Sequence, residues 1–240
     1  MFKSILSWLI LLIFWQLLAL GINNTILVPY PGEVFLTMIN QIQDASVWMH
    51  ILMTFMRIVM AFILSLLFSV VLMMLKRKGG LTLRVIDHLL LVLRIVPTAA
   101  IILIALVWLR NSQAVTLITL LVMIPLMVDL LDQQMAYIES KYKDPLALYG
   151  SNPMENWMKV LIPLSLPAFL TLCKSAFLLG LKVTISSEVL VSIQQGLGRE
   201  LQYARFELDM NRLFGSTIWI LIIALIVSRF FDALIQKHRY

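Results

Sequence analysis

The chain is predicted to be an all-α polytopic membrane protein with six transmembrane helices. Hydrophobic residues make up 61% of its 240 positions and charged residues 13%, against roughly 45–50% and 25% in soluble domains. Long apolar runs recur along the whole chain, and about 18–20 such residues suffice to cross 30 Å of hydrocarbon. These runs lack the polar/apolar alternation of barrel strands. In lipid each backbone polar group must then be paired within its own segment, which leaves helices.

Six spans follow in order: Ile5–Ile22, His50–Leu75, Leu89–Leu109, Ala114–Leu131, Leu161–Leu190 and Phe214–Ile235. The first has a positive start at Lys3 and a weak cleavage-like triplet at Ala19-Leu20-Gly21. It is nevertheless longer than the roughly 7–15 residues of a signal-peptide core, so it reads as a span. Asn23 to Pro31 is rich in turn residues, and Pro29-Tyr30-Pro31-Gly32 leads into a short helix near Glu33–Gln43. Lys76-Arg77-Lys78-Gly79-Gly80 is a tight turn after the second span. The fifth span is long for one crossing, which calls for tilt or an interfacial part. Gly196-Leu197-Gly198 opens a polar segment in which Leu201, Ala204, Leu208 and Met210 have loose helical spacing. With no internal repeat, low-complexity tract or dividing linker, residues 1–240 read as a single transmembrane domain.

Orientation comes from the basic residues. A cytoplasmic N-terminus puts ten of the nineteen Lys and Arg residues in inside loops and four outside. The inner set is Lys3, Lys76, Arg77, Lys78, Arg84, Lys141, Lys143, Lys159, Lys237 and Arg239; the outer is Arg110, Arg199, Arg205 and Arg212. This bias places both termini in the cytoplasm of a cell membrane. Trp48 and Trp108 fall near outer span ends, where interfacial aromatics belong. Basic loops on anionic lipid account for the net charge of +6, so no nucleic-acid partner is implied.

A polar, punctuated island runs from Asp144 to Pro167. Asp144-Pro145 reads as an N-cap followed by Pro at the first helical position. Gly150 breaks that helix, and Asn152-Pro153-Met154-Glu155 restarts it in a capping-box pattern. Local physics alone is equally served by an ordinary capped loop. The spacing of Asp144, Gly150, Val160, Ile162 and Pro163, however, resembles the EAA motif of ABC importer permeases. Asp144 stands where that family has Glu, Pro145 and Leu146 depart from its small pair, and Ala147 comes one place late. In the family this segment is the coupling helix that docks in a groove of the ATP-binding subunit.

The resemblance extends over nearly the whole chain and is closest to the nitrate, sulfonate and taurine branch of the binding-protein-dependent importers. It rests on Thr54-Phe55-Met56-Arg57-Ile58-Val59, on Leu93-Arg94-Ile95-Val96-Pro97, on Lys174 and Glu188 in the fifth span, and on Gly196-Leu197-Gly198. It implies a type I importer-like permease working as a pair, most simply a homodimer. Its implied partners are an ABC ATP-binding subunit, which would hold ATP and Mg, and an extracytoplasmic substrate-binding protein. The chain itself would bind no cofactor. Related importers carry nitrate, sulfonates and taurine, and others thiamine precursors.

No GxxxxGK[ST] phosphate loop is present in the sequence. His50, His88 and His238 have no second ligand at metal spacing, and Cys173 is the single cysteine, which excludes an internal disulfide. Rival readings are a non-ABC six-span channel and an intramembrane enzyme; the latter should show clustered nucleophiles, acids or metal ligands in its spans. A charge within a span normally faces protein or water. Arg57, Arg94, Lys174 and Glu188 match charged family positions, which implies gating or structural roles, and Glu188 could pair with one of these cations. Thr171, Ser175, Lys182 and Ser186 fall within about a 60° arc of one helix. This stripe either lines the translocation path or packs against another polar surface.

Overall fold

A computed structural model describes residues 2–148 and 162–238, with side chains described except at 2–5, 139, 142–148 and 162–164. Every regular element among the described residues is helical: α1 (Phe2–Ile22), α2 (Pro31–Gln43), α3 (Ala45–Lys76), α4 (Gly80–Ile95), α5 (Thr98–Trp108), α6 (Asn111–Leu148), α7 (Ile162–Val191), α8 (Leu197–Phe206) and α9 (Met210–Lys237). Helices α3, α6, α7 and α9 are each long and apolar enough to cross a membrane, and α4 with α5 makes a bent fifth candidate. The described part of α1, Leu6–Ile22, is apolar but shorter.

The chain divides into two units, one of residues 1–55 and 188–223, the other of 56–187 and 224–240. In the first unit, Trp15 stacks on Phe214 with ring centroids 5.6 Å apart. The Trp15 indole N–H donates to the Pro29 carbonyl at 3.1 Å, tying α1 to the turn before α2. Pro31 opens α2 at a position where its missing N–H is free of cost. Gly215 lets α9 approach α2 closely, since a Cβ there would lie 3.2 Å from Met38 Cγ. Beside it the Gln41 amide donates to the Ser216 hydroxyl at 3.2 Å.

In the second unit, Ala61, Ile86, Leu90, Leu120, Ile124 and Val128 form one apolar cluster between α3, α4 and α6. A second cluster, Met123, Met127, Leu172, Cys173 and Ala176, joins α6 to α7; there Cys173 is a buried packing residue. Ser65 and Ser69 donate across to the Leu120 and Ile124 carbonyls at 3.1 and 3.3 Å. These bonds satisfy hydroxyls that would otherwise be costly to bury.

Two elements differ from the sequence-based expectation. The run Leu89–Leu109 is two helices bent by 99°, not one continuous span. Pro97 explains the break: it has no N–H to give and pushes Val96 out of the helical region, to ψ 125°. The helix that holds the fourth span does not end at Leu131 either. It continues through Asp144 and Pro145 to Leu148, so Asp144 is no N-cap. The sequence from Asp132 to Lys143 is polar but holds no Gly or Pro to stop a helix, and Pro145 removes a single donor near the end. The turn at Gly79 and Gly80 is present, with both residues at positive φ.

Candidate functional site

Helix α7 has two unlike faces. Leu172, Cys173, Ala176, Phe177, Leu181 and Ile185 are buried, whereas Thr171, Ser175, Lys182 and Ser186 are all exposed. Close packing against α6 fixes this orientation. A Cβ at Gly180 would lie 2.8 Å from Met123 Sδ, and the Thr119 and Thr184 hydroxyls hydrogen-bond at 2.9 Å. Where the exposed face meets α6 there is a cavity of about 280 Å³ lined by Leu130, Gln133, Gln134, Ala168, Thr171, Leu172 and Ser175. Thr171 and Ser175 donate to the backbone carbonyls of Pro167 and Thr171, at 2.9 and 3.1 Å, so towards the cavity their oxygens act as acceptors. Gln133 and Gln134 were absent from the sequence-based candidates. Their signal was a polar pair continuing the fourth span, hidden by ending that span at Leu131.

The other charges divide into pairs. Arg94 meets Asp129 at 2.5 Å, both partly exposed, beside a cavity of about 370 Å³ that Thr98 and Val122 also line. Lys174 meets Asp232 at 2.7 Å. Lys76 meets Asp132 and Asp87 at 2.6 and 3.0 Å, which ties the end of α3 to the middle of α4 and to α6. Arg57 Nε donates to the Ser112 hydroxyl at 2.9 Å. Lys182 has no ion-pair partner among the described residues.

Glu188 lies in the first unit and is completely buried. Arg94 and Lys174 each have a carboxylate partner. The Thr54 hydroxyl donates to both Glu188 oxygens at 2.9 Å, and the Gly198 N–H donates to Oε2 at 2.9 Å. Thr54 Oγ1 in turn accepts the Leu197 N–H at 2.8 Å, and His50 Nδ1 accepts the Gly196 N–H at 3.0 Å. His50 Nε2 faces Glu200 Oε1 at 3.2 Å, and Glu200 Oε2 takes Arg212 at 2.8 Å. The first N–H groups of a helix have no partner within it; here three successive ones at the start of α8 are each met by a different side chain. The glycines make this possible. Gly196 has φ 152°, and a Cβ there would sit 2.6 Å from Glu188 Oε2. At Gly198 it would sit 2.3 Å from Glu188 Cβ.

Of the coupling candidates, Asp144 and Ala147 belong to the α6 backbone and Ile162 and Pro163 to the first turn of α7. Gly150 and Val160 lie outside the described residues.

The fold describes an all-helical, multi-pass membrane protein. The chain belongs to the family of binding-protein-dependent transport system inner membrane components, whose model matches residues 71–240. It is thus the permease component of an ABC importer, not the catalytic subunit. No curated protein matches the sequence significantly. Among solved structures it is similar to the MetNI methionine ABC transporter in inward-facing conformations. A native crystal form gives 17% identity and a TM-score of 0.63, and a selenomethionine-soaked form 17% and 0.65; each match covers 80% of this chain and 94% of the other. An amino acid ABC transporter crystallised with histidines gives 14% identity and a TM-score of 0.60, over 78% of this chain and 90% of that one. At these identities the likeness concerns the fold.

Proposed function

We propose that the chain spans the membrane six times with both termini in the cytoplasm, as one functional domain, and that two copies form a path for a small solute. An external binding protein delivers the solute, and two ATP-binding subunits dock at the segment from Asp144 to Pro163. Closure of those subunits moves this segment and turns access from outside to inside. Within the path Thr171, Ser175, Lys182 and Ser186 face the solute, while Arg57, Arg94, Lys174 and Glu188 hold or gate the helices around it. The substrate belongs with those of the nitrate, sulfonate and taurine branch or with thiamine-precursor-like ring compounds.

The observation that supports this reading is the exposure of all four stripe residues on one face of α7 while the opposite face is buried. A cation within a span is stable only beside water or an opposite charge, and Lys182 has no carboxylate partner among the described residues. Cysteines placed at Ser175, Lys182 and Ser186 in a Cys173→Ser background should be labelled by a water-soluble maleimide. The labelling should differ between the resting and the ATP-trapped complex. Cysteines unlabelled in both states would assign the stripe to packing.

A further inference from the structure

The three acceptors that hold the start of α8 are chemically unequal. Thr54 does not titrate in the biological range, and Glu188 accepts through side-chain oxygens shielded from water. His50 accepts through Nδ1, which requires that nitrogen to carry a lone pair. Its Nε2 faces Glu200 Oε1 at 3.2 Å, so the two contacts together assign the neutral ring with its proton on Nε2. Adding a proton puts an N–H at Nδ1, directly against the N–H of Gly196, 3.0 Å away.

We propose that His50 is a positioning residue for the Gly196–Gly198 turn of the permease, and that proton uptake by its ring releases that turn. The ring is 8% exposed, and four charged groups act on it. Glu200 and Arg199 come from α8, Arg212 from α9, and Asp44 precedes its own helix. Glu200 attracts a charged ring, but its second oxygen is already engaged by Arg212; Arg199 and Arg212 repel one. Glu188, from α7, holds the Gly198 N–H, and Thr54 the Leu197 N–H. The Glu188 side chain lies beside Gly196, where a Cβ would meet Oε2 at 2.6 Å. Acid therefore removes one of three caps and leaves the other two, loosening the turn without unfolding it. The side from which the proton arrives rests on the topology proposed above; the response of the turn does not.

The test is hydrogen exchange on the full chain in lipid nanodiscs, from about pH 8 to about pH 5, a range that spans the titration of an ordinary imidazole. Rates are corrected for the intrinsic pH dependence of exchange. The peptide carrying Gly196 to Gly198 should exchange about tenfold faster at the acid end, the order expected for one lost hydrogen bond. Peptides of the α6 core should not respond. His50→Gln offers an amide oxygen that accepts without titrating, so it should keep slow exchange at both ends of the range. His50→Ala should be fast throughout. A flat corrected profile in the wild type would overturn the proposal even if neither variant folds. So would a His50→Gln protein with the full acid response, which would move the effect to Glu188 or Glu200.

Discussion

Gly198 shows how a single hydrogen atom can be a structural requirement. A methyl group there would meet Glu188 Cβ at 2.3 Å and the Val189 backbone nitrogen at 2.7 Å, and neither atom is the end of a flexible side chain. Gly198→Ala should therefore cost about 1–3 kcal/mol as overpacking, seen as a lower melting temperature in detergent; an unchanged melting temperature would show that α8 can shift without penalty. Asp44 gives a prediction with a sign in pH. Hydrogen bonds from the Ser46 hydroxyl and N–H hold its carboxyl below the usual carboxylate value; the N–H bond measures 2.8 Å. A carboxylate depressed in the folded state stabilises above its unfolded pKa, and this is lost as pH falls through the folded one. Asp44→Ala should lower stability at neutral pH and leave it nearly unchanged in strong acid. The sequence points to Glu188 and the two glycines but not to the Thr54 and Gly198 donors that meet the Glu188 side chain. The Thr54 bond to Glu188 closes 134 residues, and the bond from the Gly196 N–H to His50 closes 146. No local spacing rule reaches that far. His50 was legible only as a histidine without a metal partner.

At the scale of elements, hydropathy located the helices well and their interruptions poorly. A window over Leu89 to Leu109 registers apolarity, which the Pro97 break scarcely alters, whereas backbone direction depends on that one residue. The Arg94–Asp129 pair bridges the last turn of α4 to α6 beside the break, so it should hold the bend. Arg94→Gln and Asp129→Asn should each lower thermal stability, and the double variant should lose less than the sum. For partly exposed groups the coupling should be no more than about 1 kcal/mol in water and larger where lipid excludes it. Strict additivity in the double-mutant cycle would separate the pair from the bend. The coupling segment calls for a different test. Gly150→Val should leave the protein inserted in the membrane while uncoupling ATP hydrolysis from uptake or weakening the docking of the ATP-binding subunit. Normal uptake by the Val variant would remove this segment from the coupling role.

At the scale of the whole molecule, composition alone separated membrane from soluble, and ordered motifs separated a permease from a channel or enzyme. The division of lysines and arginines predicts that labels at Asn23 or Gln195 are reached from outside and labels at Gly79 only from inside. A cytoplasmic Gln195 would invert the proposed arrangement. The stripe on α7 is legible in the sequence as a polar arc, because helical spacing alone sets it.

The bend of 99° between α4 and α5 also bears on the surrounding lipid. At 1.5 Å per residue, the 11 residues of α5 extend about 16 Å and the 16 of α4 about 24 Å. Two segments nearly at right angles cannot both run along the bilayer normal, so neither alone matches about 30 Å of hydrocarbon. The bilayer must thin beside them, or they must lie against protein where lipid does not reach. Each Å of mismatch costs a fraction of a kcal/mol, and any movement of the bend during transport changes that mismatch. The permease should then be sensitive to acyl-chain length, with its turnover in reconstituted vesicles rising or falling steadily as the lipid tails are lengthened at constant headgroup.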